Sequence, residues 1–297
     1  MGNPKRIFLC GLFMIMIFIP MISFSQSDSH VIEKQDTVKQ YIVITTKDIT
    51  IIGTIENLDA NPLIIQTEYG VLNIPKDQVE KIKELEPQSI KKGKYWFPNP
   101  NTSRLFFAPT ARMLKKGEGY FADYYLFFPG ISYGISNNFT LNGGFSILPG
   151  VNIFQQIFYL APKFGIFTKG KWHVAAGGLF ARPGDFADGD IPTVGILYGV
   201  TTYGNNDSGF TLGLGYGFAD DEMADKPVVI LGGETRGSRR ISFVTENWII
   251  PGVDPVIVSY GLRFLGEKMA VDLAFITAIE SGALFPGFPM VDFVFNF

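Results

Sequence analysis

The chain carries two histidines, His30 and His173, which are its most obvious candidates for acid–base chemistry. A hydrolase needs such a side chain beside a nucleophile. His173 lies in the stretch "KWHVAAGG" directly after Trp172, and alternation along a strand would put these two rings on opposite faces. The sequence contains neither a Gly-x-Ser-x-Gly elbow nor a His-Glu-x-x-His helix. We therefore predict a structural role for His173 and no catalytic residue, with hydrolysis of lipid by His173 as the alternative.

Metal and cofactor chemistry has weak support. Two stretches are acidic, and their members are Asp185, Asp188 and Asp190, then Asp220, Asp221, Glu222 and Asp225. Their spacing does not match the helix–loop–helix calcium pattern, so solvated loop acids are the better interpretation. The glycines of "GLGYGF" repeat at every second residue, which is typical of a strand wall and not of a phosphate loop. The sequence predicts no metal and no cofactor.

The first 25 residues have the order of a secretory signal. Lys5 and Arg6 precede an apolar run from Ile7 to Ile22, and small residues follow, so cleavage is expected before Gln26. The only cysteine, Cys10, lies inside this segment, and the mature chain would have no thiol or disulfide. Loss of the two basic residues changes the formal net charge from −3 to −5. A mildly acidic exported protein is a poor candidate for binding nucleic acid.

Alternating hydrophobicity organises most of the remaining chain. In the terminal stretch "MVDFVFNF", Val291, Phe293, Phe295 and Phe297 share one strand face, and Asp292 shares the other with Asn296. The same period recurs in segments of about 9 to 14 residues, which is the reach of a tilted membrane strand. Beyond the signal no long apolar run exists. A membrane protein without spanning helices must be a closed β-barrel, since lipid offers the backbone no other hydrogen-bond partners.

The connections support a barrel in another way. Counted back from Phe297, tight turns such as Gly266-Glu267 alternate with longer or proline-bearing loops such as 280–289, as in outer-membrane barrels. We predict an all-β, antiparallel transmembrane barrel over 118–297 of about twelve strands, with ten as the alternative. The predicted strands are 118–127, 130–136, 138–148, 153–167, 171–181, 191–204, 208–219, 226–235, 239–250, 255–265, 268–279 and 287–297. In another version 118–136 is one strand and 103–113 is its partner.

The carboxyl-terminal pattern Phe293, Phe295 and Phe297 resembles the assembly signal of Gram-negative outer-membrane β-barrels. This resemblance covers about two thirds of the chain. It implies outer-membrane lipid as surroundings and the barrel-assembly machinery as a partner, and it implies no particular activity.

Four charged residues would face the barrel lumen. A hairpin over Gly266-Glu267 puts Arg263 opposite Asp272 or one diagonal away, and Asp292 and Glu246 also point inward. One interpretation is a network of ion pairs that braces a nearly filled barrel, and the other is a constriction that selects small polar solutes. We favour bracing. A continuous plug across Arg263 and Asp272 would argue against an open pore.

Residues 41–86 precede the barrel and read as short strands. Gly53, Ile55, Thr67, Gly70 and the pair Ile74-Pro75 match the "Gly-x-Ile … Thr-x-x-Gly-x-x-x-Ile-Pro" pattern of SH3-like and Sm-like small barrels, which this stretch resembles. Few basic residues and two tyrosines make RNA binding improbable here.

The resulting organisation is a signal peptide over 1–25, a flexible lead-in over 26–40, an SH3-like small barrel over 41–86, a linker over 87–117 and the barrel over 118–297. The basic and aromatic cluster at 91–97 is predicted either to be solvated or to rest on a membrane interface. The predicted function is a non-enzymatic outer-membrane barrel, which serves as a narrow solute passage or as an anchor. As an anchor it would present the periplasmic small domain to a protein partner through residues 41–86.

Overall fold

A computed structural model of the protein describes residues 39–47, 49–85, 89–91, 94–182, 193–252, 256–279 and 285–297. The predicted signal peptide, most of the lead-in with His30, and the acidic stretch 185–190 lie outside these residues. The chain forms two compact units, one up to Pro87 and one from Gln88 onward. Within the described part, no helix is long and apolar enough to cross a membrane.

The first unit is a five-stranded antiparallel sheet. Its strands are β1 (Gln40–Thr45), β2 (Thr50–Ile55), β3 (Leu63–Thr67), β4 (Gly70–Ile74) and β5 (Val79–Glu84), in the order β4-β3-β2-β1-β5. Alternation selects the core: Leu63 and Ile65 are fully buried, whereas Ile64 between them is 48% exposed. A 3₁₀ turn over Lys76–Gln78 leads into β5. The SH3-like assignment of this sheet stays a prediction.

The second unit is a closed antiparallel barrel of twelve strands, as predicted. The strands are β8 (Gly119–Tyr124), β9 (Phe128–Ser136), β10 (Phe139–Phe145), β11 (Phe158–Lys169), β12 (Trp172–Arg182), β13 (Val194–Gly204), β14 (Ser208–Ala219), β16 (Val228–Ser238), β17 (Ile241–Ile249), β18 (Ile257–Leu265), β19 (Met269–Ala278) and β20 (Phe288–Asn296). Neighbours in sequence pair with one another, and β20 pairs with β8 to close the ring.

Several short elements of the described residues accompany the barrel. β6 (Ile90–Lys91) and β7 (Lys94–Tyr95) pair with each other, and β15 (Glu222–Met223) extends the end of β14. A 3₁₀ turn over Ile153–Gln155 lies in the connection before β11.

The strand alternation produces an apolar outer wall and a polar inner wall. On β20 the inward Asp292 and Val294 are 1% and 0% exposed, whereas the outward Phe295 is 47% exposed. On β14 the outward Leu214 is 52% exposed, and the inward Thr211 is buried. A sheet rolled into a ring has no free edge, so its backbone groups are satisfied without water.

The two ends of the barrel differ in their connections. At one end, called here the turn end, short links such as those at 137–138, 170–171 and 266–268 join the strands, and Phe297 lies at this end. At the other, the loop end, the links are mostly longer, including 146–157 and 279–287. The predicted rhythm of tight turns and longer loops is present.

Residues 97–114 form a hairpin inside the barrel, called here the inner hairpin. Its two legs are joined by hydrogen bonds from the Leu105 amide to the Ala108 carbonyl and from the Thr110 amide to the Ser103 carbonyl. Phe97 packs on Leu265 near the turn end, and the amides at 106–108 bond to Glu246 closer to the loop end. The hairpin therefore enters from the turn end, reverses near Phe107 and returns toward the turn end, where β8 begins.

The inner hairpin corrects two expectations. Residues 87–117 do not behave as a linker over their whole length, because Leu105, Phe106 and Ala108 are at most 2% exposed. Nor is 103–113 a strand of the wall: β8 and β9 are separate strands, and 103–113 lies within the ring they belong to. Apolar residues of "SRLFFAPTARM" pack against the inner wall instead of facing outward.

Candidate functional site

Arg263 on β18 is the centre of the lumen network. It faces Asp272 of β19 directly in the strand register, and its Nε and Nη2 donate to the two carboxylate oxygens of Asp272 at 2.7 and 2.8 Å. Its Nη1 donates to Glu234 Oε2 at 2.9 Å. Arg263 and Asp272 are both fully buried. Such a cation is tolerated inside a protein because its fork of donors is matched by carboxylates on both sides.

The same guanidinium also binds the inner hairpin. Nη1 donates to the Asn101 carbonyl and Nη2 to the Leu105 carbonyl, each at 2.7 Å. The hairpin therefore crosses the lumen at the level of Arg263. Carbonyl groups of an irregular segment need such donors, since they have no sheet partner.

A second pair fastens the hairpin to the strand that closes the barrel. Arg104 donates to both carboxylate oxygens of Asp292 on β20, from Nη1 at 2.9 Å and from Nη2 at 3.1 Å. Its guanidinium carbon lies 4.8 Å from the ring centre of Tyr124 on β8. Arg104 thus bridges the two strands whose pairing seals the ring.

Glu246 on β17 holds the tip of the hairpin. One carboxylate oxygen accepts the backbone N–H groups of Phe106, Phe107 and Ala108, each at 2.9 Å, and the other accepts the indole N–H of Trp248 at 2.7 Å. A carboxylate that accepts several N–H bonds is stabilised in its charged form and fixes the backbone around it. Four donors leave this buried group without need of a cationic partner.

Lys163 on β11 also holds the hairpin, but it is a cationic donor, whereas Glu246 is a carboxylate acceptor. Its Nζ donates to the carbonyl oxygens of Ser103, Thr110 and Arg112 at 2.9, 3.0 and 2.8 Å. These acceptors use the three protons of an ammonium group. Among the described residues Lys163 forms no salt bridge with a carboxylate. Lys163 therefore serves as a tie between the wall and both legs of the hairpin.

The entrance of the hairpin is fixed at the turn end by Asp207. Its carboxylate accepts Nη1 of Arg236 at 2.8 Å and also binds Lys91. Arg236 Nη1 donates to the Phe97 carbonyl at 2.8 Å, and its guanidinium lies over the ring of Trp96. Burial works against the charged form of Asp207, but the bonds and charges of the two cations prevail and lower its pKa. The cluster at 91–97 thus contacts the barrel at Lys91, Trp96 and Phe97.

The four predicted lumen residues lie on four neighbouring strands, one each on β17, β18, β19 and β20. Asp272 faces Arg263 on one side and Asp292 on the other in the strand register, and Glu246 faces Ser259 closer to the loop end. All four are buried, and each has a hydrogen-bonded partner.

Sequence reasoning missed the partners that complete the network. Lys163 and Glu234 each stand at an inward position of a barrel strand, and this parity was a usable signal. Arg104 gave no such signal, because nothing in "NTSRLFFAP" indicates that the segment enters the barrel.

The remaining candidate residues lie apart from the network. His173 is near the turn end of β12, where its Nδ1 is 3.3 Å from Thr168 Oγ1, and Trp172 packs on Tyr203 with ring centres 4.8 Å apart. Asp220 accepts the Thr193 amide at 2.8 Å in an exposed loop. Of the terminal aromatics, Phe293 packs against Phe121 of β8 at 5.9 Å, and Phe295 and Phe297 are exposed.

No protein-family model and no curated protein matches the chain. Several solved structures are similar to it over most of their length. OmpTdeltaL8, a loop-deletion mutant of an outer membrane protein of Vibrio cholerae, is 10% identical, with 88% of this chain and 97% of that chain covered and a TM-score of 0.32. OccK11 of Pseudomonas aeruginosa is 13% identical, with 87% and 93% covered and a TM-score of 0.32. A mutant of the Rh. blastica porin is 14% identical, with 87% and 96% covered and a TM-score of 0.31.

Proposed function

We propose that the protein is a non-enzymatic outer-membrane β-barrel, closed in the described state, that anchors the sheet of residues 40–84 at the membrane. Its outer wall carries bulky apolar side chains such as Phe210, Leu214 and Phe243, each more than half exposed, as a lipid-facing surface requires. The aromatic pattern Phe293, Phe295 and Phe297 would address the chain to the barrel-assembly machinery. The turn end would then face the periplasm, where the first unit, proposed as SH3-like, meets a protein partner.

One observation carries the anchor role: the lumen is filled at the level of Arg263. The inward Ser242, Arg263 and Asp272 have no solvent exposure, and Asp292 is 1% exposed. An aqueous pore needs inner-wall side chains in contact with water. The inner hairpin takes that place here, and it is held by hydrogen bonds to charged groups from several strands.

A second candidate is a narrow passage for small solutes, and the course of the inner hairpin favours it. Both legs leave through the turn end, so withdrawal in that direction would clear the lumen without breaking the ring. The inner wall exposed in that way would carry Arg263, Asp272 and Lys163, which are the kind of charges that select polar solutes.

Single-channel recording in planar bilayers separates the two roles. The full-length protein is compared with a variant in which residues 98–113 are replaced by a short Gly-Ser linker, with Lys163→Met, and with Lys169→Met at the exposed end of the same strand as the matched control. The anchor role predicts a silent wild type, a silent Lys169→Met variant and steady channels in the hairpin deletion. Lys163→Met is expected to give brief openings, because it loses three bonds to the hairpin.

Frequent wild-type openings would favour the passage, and a silent deletion variant would contradict the claim that the hairpin closes the lumen. The non-enzymatic proposal has its own check. Phospholipid hydrolysis by the wild type that disappears in His173→Ala would overturn it.

A further inference from the structure

The lumen changes character between its middle and its loop end. Arg263, Asp272 and Asp292 form a charged layer, whereas the inward positions nearer the loop end are apolar except for Glu246 and Ser259: Trp248 faces Ile257 across β17 and β18, and Ile276 faces Ser259 across β18 and β19. Inner walls of barrels that carry water are usually polar. An apolar inner surface at the mouth therefore needs an explanation beyond bracing.

These side chains line a cavity of about 290 Å³, called here the loop-end pocket. Its apolar walls are Phe107 of the inner hairpin with Trp248, Ile250, Ile257 and Ile276 of the barrel. Glu246 and Ser259 complete the lining. Small-molecule sites are typically concave, largely apolar and about 300–1,000 Å³ in volume. The loop-end pocket lies just below this range, and an apolar cavity of about 150 Å³ is already large enough to hold benzene.

The polar groups of the pocket are already engaged or buried. Both oxygens of Glu246 accept N–H donors, three from the hairpin tip and one from Trp248. The Ser259 residue is 2% exposed. An anionic ligand would find no counter-ion, because no described lining residue is cationic. This selects an uncharged, mainly apolar ligand.

We propose that the loop-end pocket binds a small, uncharged, ring-sized apolar molecule that arrives from the loop side of the barrel. The ligand would lie between Phe107 and Trp248. Both residues are tied to Glu246, the first through its backbone amide and the second through its indole N–H. A ligand bound in the pocket therefore contacts residues that are bonded to the same carboxylate as the tip of the inner hairpin. The site needs Phe107, and therefore a seated inner hairpin, but it does not rest on the anchor role.

The test uses full-length protein labelled with 5-fluorotryptophan in lipid nanodiscs and followed by ¹⁹F NMR. The chain has three tryptophans, so three signals are expected, and Trp248→Phe assigns one of them. Benzyl alcohol is the neutral probe, and benzoate is the matched anion with the same ring. We expect benzyl alcohol to shift the Trp248 signal saturably and to leave Trp172 and Trp96 nearly unchanged, and we expect benzoate to shift none of them.

Two variants make the site specific. Ile276→Phe fills the pocket and should weaken the response at least tenfold, whereas Ile279→Phe, the same change at an exposed position three residues further on, should not. Phe107→Ala removes a wall and should weaken binding at least fivefold; its side chain is 43% exposed, so the barrel is expected to fold. Equal shifts of all three signals, an equal response to benzoate, or equal behaviour of the two isoleucine variants would overturn the proposal.

Discussion

At the scale of single residues, the molecule places charged groups in the packed interior of the barrel, where an unpaired charge is poorly tolerated. Arg263 has five hydrogen bonds to groups from the wall and the inner hairpin, and Asp272 receives two of them. Loss of one partner from such a buried pair costs far more than the pair contributes, because the other charge is left without compensation. Surface pairs behave differently, since water replaces the missing partner.

Replacement of Arg263 by methionine should therefore destabilise the barrel strongly. The change leaves the carboxylates of Asp272 and Glu234 unpaired, and we expect a loss of about 3–5 kcal/mol in the free energy of unfolding. Urea unfolding in lipid vesicles, followed by tryptophan fluorescence, measures this loss. The control is Lys115→Met, which removes an exposed pair with Glu118 and should change the free energy by less than about 0.5 kcal/mol. Equal effects of the two variants would contradict the role given to Arg263.

At the scale of elements, sequence and structure agree where the alternation of residues along a strand assigns its inward and outward faces. The strands around Phe210–Phe218 and Val291–Phe297 follow the predicted faces, because the packed interior on one side of the wall enforces the alternation. The predicted strand 226–235 extends further in the structure, because β16 continues to Ser238 and the turn lies at 239–240. The sequence did not predict the inner hairpin, because its conformation depends on hydrogen bonds to distant strands and not on local periodicity.

The approach of the hairpin to the wall depends on glycine at position 232. A Cβ there would lie 2.5 Å from Cδ1 of Leu105 and 2.4 Å from the Thr245 carbonyl oxygen. We expect Gly232→Val to lower the free energy of unfolding by about 1–3 kcal/mol through overpacking and to increase protease cleavage within 97–114. The control is Gly217→Val on β14, where the nearest atom to a Cβ is 3.7 Å away. Unchanged proteolysis in Gly232→Val would contradict the close packing of the hairpin.

At the scale of the whole molecule, the barrel is an inverted globular protein with its apolar coat outside. Leu214 lies near the middle of β14 and Tyr203 near the turn end of β13, and both are outward and exposed. The cost of an outward charge in lipid depends on depth, because it falls from the centre of the bilayer to its surface. This dependence distinguishes a membrane barrel from a soluble one.

Leu214→Arg should therefore cost about 2–4 kcal/mol in vesicles, and Tyr203→Arg about 0–1 kcal/mol. The measurement is the urea midpoint of each variant in the same lipid. Equal costs at the two positions would argue against a bilayer around the strands.

The seam between β20 and β8 has a consequence for biogenesis. The last strand of the chain carries Asp292 and Asn296, whose partners Arg104 and the Pro100 carbonyl are made nearly two hundred residues earlier. Chain order therefore makes the segment that binds β20 available before β20 itself. Transplanting residues 88–117 behind Phe297 would reverse this order, so that β20 is synthesised before the segment to which it binds.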